Sequence, residues 1–145
     1  MDDFNPAERW LAKVAEDMKS AQVLLREGLI ANSCYFSQQA GEKILKAYLS
    51  LHEGEPAWTH NLGELCKDCT HHDAEFEAIS DDASDLTYYA THTRYPGDES
   101  FKEQDAQEAI EKVQMIYDFT LPRIQALEQA LEEEREQSGP TMRMQ

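Results

Sequence analysis

The sequence has no long hydrophobic run and few helix-breaking residues. Of its 145 residues, 6 are glycine and 5 are proline. No apolar stretch approaches the roughly 18 residues that a membrane-spanning helix needs. The first residues, Met1 to Pro6, lack the basic and apolar segments of a signal peptide. These absences predict a cytoplasmic protein that is rich in helix and makes no membrane contact.

Positive charge is also scarce. The chain has 13 lysines and arginines against 29 acidic residues, which gives a net charge of -16. Such a surface keeps a protein soluble and repels phosphate backbones and anionic membranes. We therefore expect no general binding of nucleic acid. A local cationic pocket for one nucleotide and a basic protein partner both remain compatible with this charge.

Cysteine is infrequent, and its placement does not make a convincing metal site. The three cysteines, an odd number, agree with free thiols in a reducing compartment. Cys66 and Cys69 stand close to His71 and His72, but a closed zinc site usually takes two separated pairs of ligands. The pattern therefore favours a helix end with incidental thiols. Metal binding by these four residues is the open alternative, and we expect no resident cofactor.

The familiar catalytic signatures are missing as well. A di-iron site in a helical bundle needs glutamate and histidine at Glu-x-x-His spacing, and no such pair is present. There is no glycine-rich phosphate loop and no local Ser/His/Asp signature. The sequence alone therefore gives no complete catalytic constellation.

What the sequence does contain is apolar residues at helical spacing along most of its length. They predict an all-α fold, an up-and-down helical bundle of four long helices and one short helix. The first helix begins after Asn5, a cap residue, and ends at Gly28. The second runs from about residue 32 or 33 to about residue 52, where Gly54 follows. The glycine inside it, Gly41, indicates a close helix crossing.

The later helices are predicted from cap residues and turn signals. A short helix follows Thr59, a candidate cap, and a long one follows Asp73 and ends before Tyr95-Pro96-Gly97. The last helix begins at Ser100 with a Ser-x-x-Glu capping box and should kink before Pro122. We place the bundle at residues 1–131 and predict a disordered acidic tail at 132–145.

The cations of the second helix are the candidate site. Lys43 and Lys46 share one side of the helix, and Gln39 extends that polar edge. If the bundle brings His60 and Arg94 alongside, an acidic protein acquires one notch for a phosphate. The alternative is that each lysine pairs with a nearby acid, such as Glu42, and lies over the core.

Three pieces of the sequence together resemble the HEPN domain family. They are Gln38-Gln39-Ala40-Gly41-Glu42-Lys43-Ile44-Leu45-Lys46-Ala47-Tyr48-Leu49, then His60-Asn61-Leu62, then Thr93-Arg94-Tyr95-Pro96. The resemblance covers roughly residues 6–130 in order and spacing. It implies a helical bundle, commonly a homodimer, that often pairs with a minimal nucleotidyltransferase. By this resemblance the ligand-binding candidates are Lys43, Lys46, His60, Arg94 and Tyr95.

The ribonucleases of that family carry an arginine followed four to six residues later by a histidine. No arginine of this chain has a histidine at that spacing. The leading hypothesis is therefore an accessory module without nuclease activity, which binds a nucleotidyltransferase and a nucleotide phosphate. The first alternative is a toxin-like ribonuclease of a toxin-antitoxin pair that uses His92 and Arg94 across a dimer. The second is a structural adaptor without ligand.

Overall fold

The computed structural model describes residues 5–97 and 100–143, without the side chains of 139–143. These residues form helices and no strands, which confirms the all-α prediction. The elements are α1 (Pro6–Arg26), α2 (Ile30–Glu53), α3 (Leu62–His72), a 3-10 helix (Ala74–Ile79), α4 (Ser80–Thr87), α5 (Tyr89–His92) and α6 (Glu103–Arg143). None of these helices is long and apolar enough to cross a membrane.

The first two helices form an antiparallel pair, and their ends follow the sequence signals. The side chain of Asn5 accepts a hydrogen bond from the backbone N–H of Ala7, and Pro6 takes the first helical position. Gly28, with φ of 81°, supplies the left-handed turn into α2. Gly54 plays the same part after α2, with φ of 80°. The predicted start of α2 was two to three residues late.

The predicted up-and-down order fails between α2 and α3. A Cβ on Gly41 would meet Leu62, the thiol of Cys69 points to the carbonyl of Leu45, and His72 stacks on His52. Both helices therefore advance in the same direction. The connection, residues 54–61, returns along α2 before α3 begins; we call it the return loop. Asn61 caps α3 by accepting from the N–H of Glu64 at 3.0 Å, so the predicted cap, Thr59, was wrong.

The long helix predicted after Asp73 is divided into three pieces. Asp73 caps the 3-10 helix, which leads into α4 and then α5. The joint at Tyr88 keeps helical backbone angles, so the pieces follow one another closely. The hydroxyl of Thr87 bonds back to the carbonyl of Ala83 at 3.3 Å, a contact that bends helices. The helical path ends before Pro96, as predicted.

The last helix differs from its prediction at its start and in its length. It begins at Glu103, and the side chain of Asp105 accepts from the N–H of Lys102, so the predicted box at Ser100 does not start it. The helix continues through Pro122 and on to Arg143. The domain boundary placed at residue 131 stays a prediction.

One hydrophobic core joins all the long helices. Gly41 lies at its centre, because a Cβ there would sit 2.7 Å from Leu62 and 3.3 Å from Leu86. The predicted close crossing at this glycine is therefore present. The largest fully buried side chains are Phe76, Ile44, Leu45, Leu49, Leu62, Leu65, Leu86, Ile116, Ile124, Gln38, Val14 and Val113.

Candidate functional site

A buried carboxylate, Glu42, organises the polar edge of α2. Its side chain is only 6% exposed, and it accepts from Lys46 Nζ at 2.9 Å and from His60 Nδ1 at 3.0 Å. Lys46 is itself 8% exposed and lies one turn further along α2. A buried charge is stable only when it is paired and hydrogen-bonded. This ion pair is therefore part of the interior, with the imidazole of His60 on its outer side.

Gln38 holds the return loop against this ion pair. Its Nε2 donates both to Glu42 Oε1 at 3.2 Å and to the backbone carbonyl of His60 at 3.0 Å. Its own carbonyl oxygen accepts from Gln39 Nε2 at 2.8 Å. The buried amide thus fixes the position of the His60 backbone, which explains why this part of the loop lies along α2.

Lys43 points to α1. Its Nζ lies 2.6 Å from Asp17 Oδ2, and the carboxylate on α1 is buried. The lysine is 21% exposed, so it is less enclosed than Lys46. Lys46 Nζ also lies 5.8 Å from the ring of Trp10 on α1, within cation–π range. Each lysine of the predicted notch therefore already has an acidic partner inside the chain.

Arg94 reaches α2 at a different place from the lysines. Its guanidinium carbon lies 4.2 Å from the ring centre of Tyr35, two turns before Glu42. The next residue, Tyr95, is 74% exposed. The structure thus brings His60 and Lys46 together around Glu42, and sets Lys43 on Asp17 and Arg94 on Tyr35. The five predicted residues therefore do not converge on one point.

The sequence did not predict the full set of residues that contact the cations of this edge. Glu42 was considered as a partner, and its spacing to Lys46 is the ordinary one for a helical ion pair. Asp17 and Tyr35 carry no local signal, because they contact Lys43 and Arg94 only through the tertiary fold. Gln38 looked like one more polar residue, although it is completely buried.

The cysteine-histidine segment is divided between the core and the surface. The thiol of Cys66 donates to the carbonyl of Phe76 at 3.3 Å, and burial raises the pKa of this thiol to about 11. Burial also raises the pKa of Cys69 well above its ordinary value. His71 is exposed. In the part of the chain that the structure describes, no group of three or more His, Cys, Asp and Glu is arranged to hold a metal ion.

Two histidines stack where α2 and α3 end. The rings of His52 and His72 are parallel within 6°, with centres 4.0 Å apart, and Glu53 lies 2.7 Å from His72 Nε2. Burial and the neighbouring His72 lower the pKa of His52, while Glu53 acts in the opposite direction. Parallel stacked rings do not direct their nitrogens at one ion. The pair is therefore a contact between the ends of α2 and α3.

His92 and Arg94, the alternative catalytic pair, contact different parts of the fold. His92 stacks on Tyr88 with ring centres 3.9 Å apart, and its Nδ1 donates to the Tyr88 carbonyl at 2.8 Å. Arg94 lies on Tyr35 instead. Within one chain these two side chains rest on different aromatic rings.

A family model and several solved structures match this chain. The model of the HEPN domain matches residues 7–132. The chain belongs to the HEPN domain family. It is similar to the crystal structure of TT1696 from Thermus thermophilus, with 29% identity and a TM-score of 0.74, covering 82% of this chain and 98% of that one.

An archaeal structure is also similar. ST0689, described as an archaeal HEPN homologue, has 25% identity and a TM-score of 0.67, over 83% of this chain and 99% of that one. No curated protein sequence matches the chain. The family and its helical architecture are therefore shown for this HEPN protein, and its activity is inferred from its own residues.

Proposed function

We propose that this HEPN protein is an accessory module that binds other proteins and does not cleave RNA. In this proposal it forms a homodimer and pairs with a minimal nucleotidyltransferase. The observation that carries the proposal is the neutralisation of both lysines on α2. Lys46 is bound to Glu42 and Lys43 to Asp17, so neither charge is available to an RNA phosphate without losing its carboxylate.

Two features of the sequence, its motif pattern and its net charge, support the same conclusion. The arginine-histidine spacing that the resemblance implies for HEPN ribonucleases is absent. The net charge of -16 opposes the approach of a polyanion. A non-nuclease role thus agrees with the site geometry, the motif pattern and the overall charge.

The exposed residues next to the polar edge are of the types that dominate binding at protein interfaces. Trp58 in the return loop is 95% exposed, and Tyr95 follows Arg94 in the turn after α5. Tryptophan, tyrosine and arginine are enriched among the residues that dominate binding energy at protein interfaces. His60 and Arg94 attach these two segments to α2. We assign this surface, Trp58, His60, Arg94 and Tyr95, to the nucleotidyltransferase partner.

A nucleotide phosphate is the second ligand that we propose for this edge. The ring of His60 is 73% exposed, and Arg94 is exposed, so each can contact a different phosphate group of one nucleotide while keeping its present partner. Lys43 and Lys46 stay on their carboxylates and make no direct contact with the phosphate. The proposed pocket therefore depends on Arg94 and His60.

The partner proposal is tested by mixing this protein with the purified minimal nucleotidyltransferase that we expect to be encoded beside its gene. Light scattering after size-exclusion chromatography should find a complex, and Trp58→Ser with Tyr95→Ser should weaken it at least tenfold. Met115→Ser is the matched control, because Met115 is an exposed apolar residue on α6. No complex with the wild-type protein would overturn the partner assignment.

The nucleotide proposal has a separate test. Isothermal titration with ATP and GTP should give heat for the wild-type protein, and Arg94→Ala should weaken binding at least tenfold. Lys67→Ala, which removes an exposed cation of α3, is the control. The absence of heat with either nucleotide would remove the pocket and leave the protein-binding proposal in place.

A further inference from the structure

A groove between α1 and the return loop carries cations that have no ion pair among the described residues. The groove has a volume of about 690 Å³ and is lined by Pro6, Arg9, Trp10, Lys13, Gly54 and Glu55. We call it the cationic groove. Trp10, which lines the groove, lies 5.8 Å from Lys46 Nζ. The groove therefore borders Glu42, Lys46 and His60, which we call the Glu42 cluster.

The charges of this groove are open to solvent. Arg9 and Lys13 stand one turn apart on α1, and both are exposed. Neither forms an ion pair with any residue that the structure describes in 5–97 and 100–138. Glu55 is the acid among the lining residues. In a chain with 29 acids and 13 basic residues, two such adjacent cations beside a tryptophan make a local site for a negative group.

The end of α6 has the complementary charge. Glu132, Glu133, Glu134 and Glu136 lie within residues 132–138, and this whole segment is exposed. We call it the acidic end. With 41 residues, α6 is about 60 Å long at 1.5 Å per residue, while α2 has 24 residues and a length of about 36 Å. The acidic end therefore belongs to a helix much longer than its neighbours.

The acidic end and the cationic groove lie at the same end of the bundle. Pro6 lines the groove and also a second hollow with Leu51, Leu131 and Arg135. Asn5 Nδ2 donates to Glu128 Oε2 at 2.7 Å, which holds α6 against the start of α1. Among the residues that the structure describes, no ion pair joins the acidic end to Arg9 or Lys13 of the same chain.

We propose that the cationic groove is a docking site for an acidic helix, and that its occupant is the acidic end of a second copy. Two copies related by a two-fold axis can each place this helix in the other's groove, because an isologous interface uses the same surfaces twice. The inference rests on the homodimer of the proposed function and specifies its contact. Exposed ion pairs are screened by salt, so the association is salt-sensitive.

Charge reversal in the groove is the first test. Light scattering of Arg9→Glu with Lys13→Glu should show a dimer dissociation constant at least tenfold above that of the wild-type protein at low salt. Lys19→Glu with Lys67→Glu is the matched control. Each such change lowers the net charge by 2, so both variants carry -20 instead of -16. The control should dimerise as the wild-type protein does, and circular dichroism checks that both variants fold.

Charge exchange is the second test and makes the inference specific. Glu132→Lys, Glu133→Lys and Glu134→Lys together should weaken the dimer on their own. Combined with Arg9→Glu and Lys13→Glu, they should restore it, because the two surfaces are complementary again. A dimer that persists in every variant would overturn this interface while leaving the homodimer intact. A wild-type chain that is monomeric at every concentration would overturn both.

Discussion

The Glu42 cluster and the cationic groove are neighbours with opposite properties. In the cluster, Lys46 is enclosed and bound to Glu42, and His60 covers the carboxylate. In the groove, Arg9 and Lys13 face solvent without an ion pair among the described residues. A cation is therefore available to a ligand when it is exposed and has no acidic partner. Sharing a helix face with other cations is not enough.

The difference has a simple energetic origin. A buried ion is costly unless its partner remains, so the residues around Glu42 must stay together. An exposed cation is solvated and contributes little to stability until a ligand arrives. Changes in the cluster should therefore affect folding, and changes at the exposed residues should affect binding.

The largest effect is expected from Glu42→Gln. This change keeps the size of the side chain but leaves the buried ammonium of Lys46 without a carboxylate, which should cost about 3 kcal/mol in the free energy of unfolding. Urea denaturation measures it. Glu111→Gln, on the exposed side of α6, should change stability by less than about 0.5 kcal/mol.

A double variant separates charge from packing at the same site. Glu42→Gln with Lys46→Met removes both ions, and most of the lost stability should return, because an apolar replacement of a buried pair is often neutral. If the double variant is as unstable as Glu42→Gln alone, the loss does not come from an unpaired charge.

A smaller loss is expected from Asp17→Asn. Its partner, Lys43, is more exposed than Lys46 and can regain water when the carboxylate is removed. We expect the free energy of unfolding to fall by about 1.5 to 2 kcal/mol, the lower part of the range for losing a hydrogen bond to a charged group. Urea denaturation of the Asp17 and Glu42 variants ranks the two sites. The comparison between them fails if Asp17→Asn is the more damaging change.

The histidine stack predicts a weak dependence of stability on pH. Because the pKa of His52 is lowered in the folded protein, the unfolded chain binds more protons near the ordinary value of 6.5. Stability should therefore fall as the pH drops from neutrality through this range. The groups that face His52 are His72, Tyr48 and Glu53. His52→Gln should reduce the slope in pH-dependent melting, whereas His71→Gln, at an exposed position, should leave it unchanged.

The smallest effect on stability is expected from Arg94→Ala. The exposed guanidinium lies on Tyr35, and such a contact contributes about 0.5 to 1 kcal/mol. The melting temperature should change by a few degrees at most, while nucleotide binding weakens at least tenfold in the titration described above. A large loss of stability would mean that Arg94 belongs to the enclosed region.

The helices themselves were largely predictable because their signals are local. Asn5 and Pro6 start α1 through their side chains, Gly54 follows α2 because it can adopt a positive φ, and Gly41 marks the close crossing. The parallel course of α2 and α3 was not predictable in this way. It depends on Gln38 and Glu42 holding His60 in the return loop, and these contacts join residues 22 and 18 positions apart.

The location of the candidate site was predictable, but the ion pairs that occupy its lysines were not. The sequence places Lys43 and Lys46 on one edge of α2, and the fold does bring His60 to that edge. Whether each lysine is free depends on side chains that only the tertiary structure brings near. Asp17 is 26 residues from Lys43, and the arginine stacks on a tyrosine of α2. Local spacing carries no information about either contact.

The central claim is that this HEPN protein binds partners and does not cut RNA. The most direct measurement incubates unlabelled structured and unstructured RNA with an excess of the purified wild-type chain and follows RNA length by gel electrophoresis. We predict that the RNA stays intact, with or without Arg94→Ala. RNA cleavage by the wild-type protein that disappears in both Arg94→Ala and His92→Ala would contradict the account.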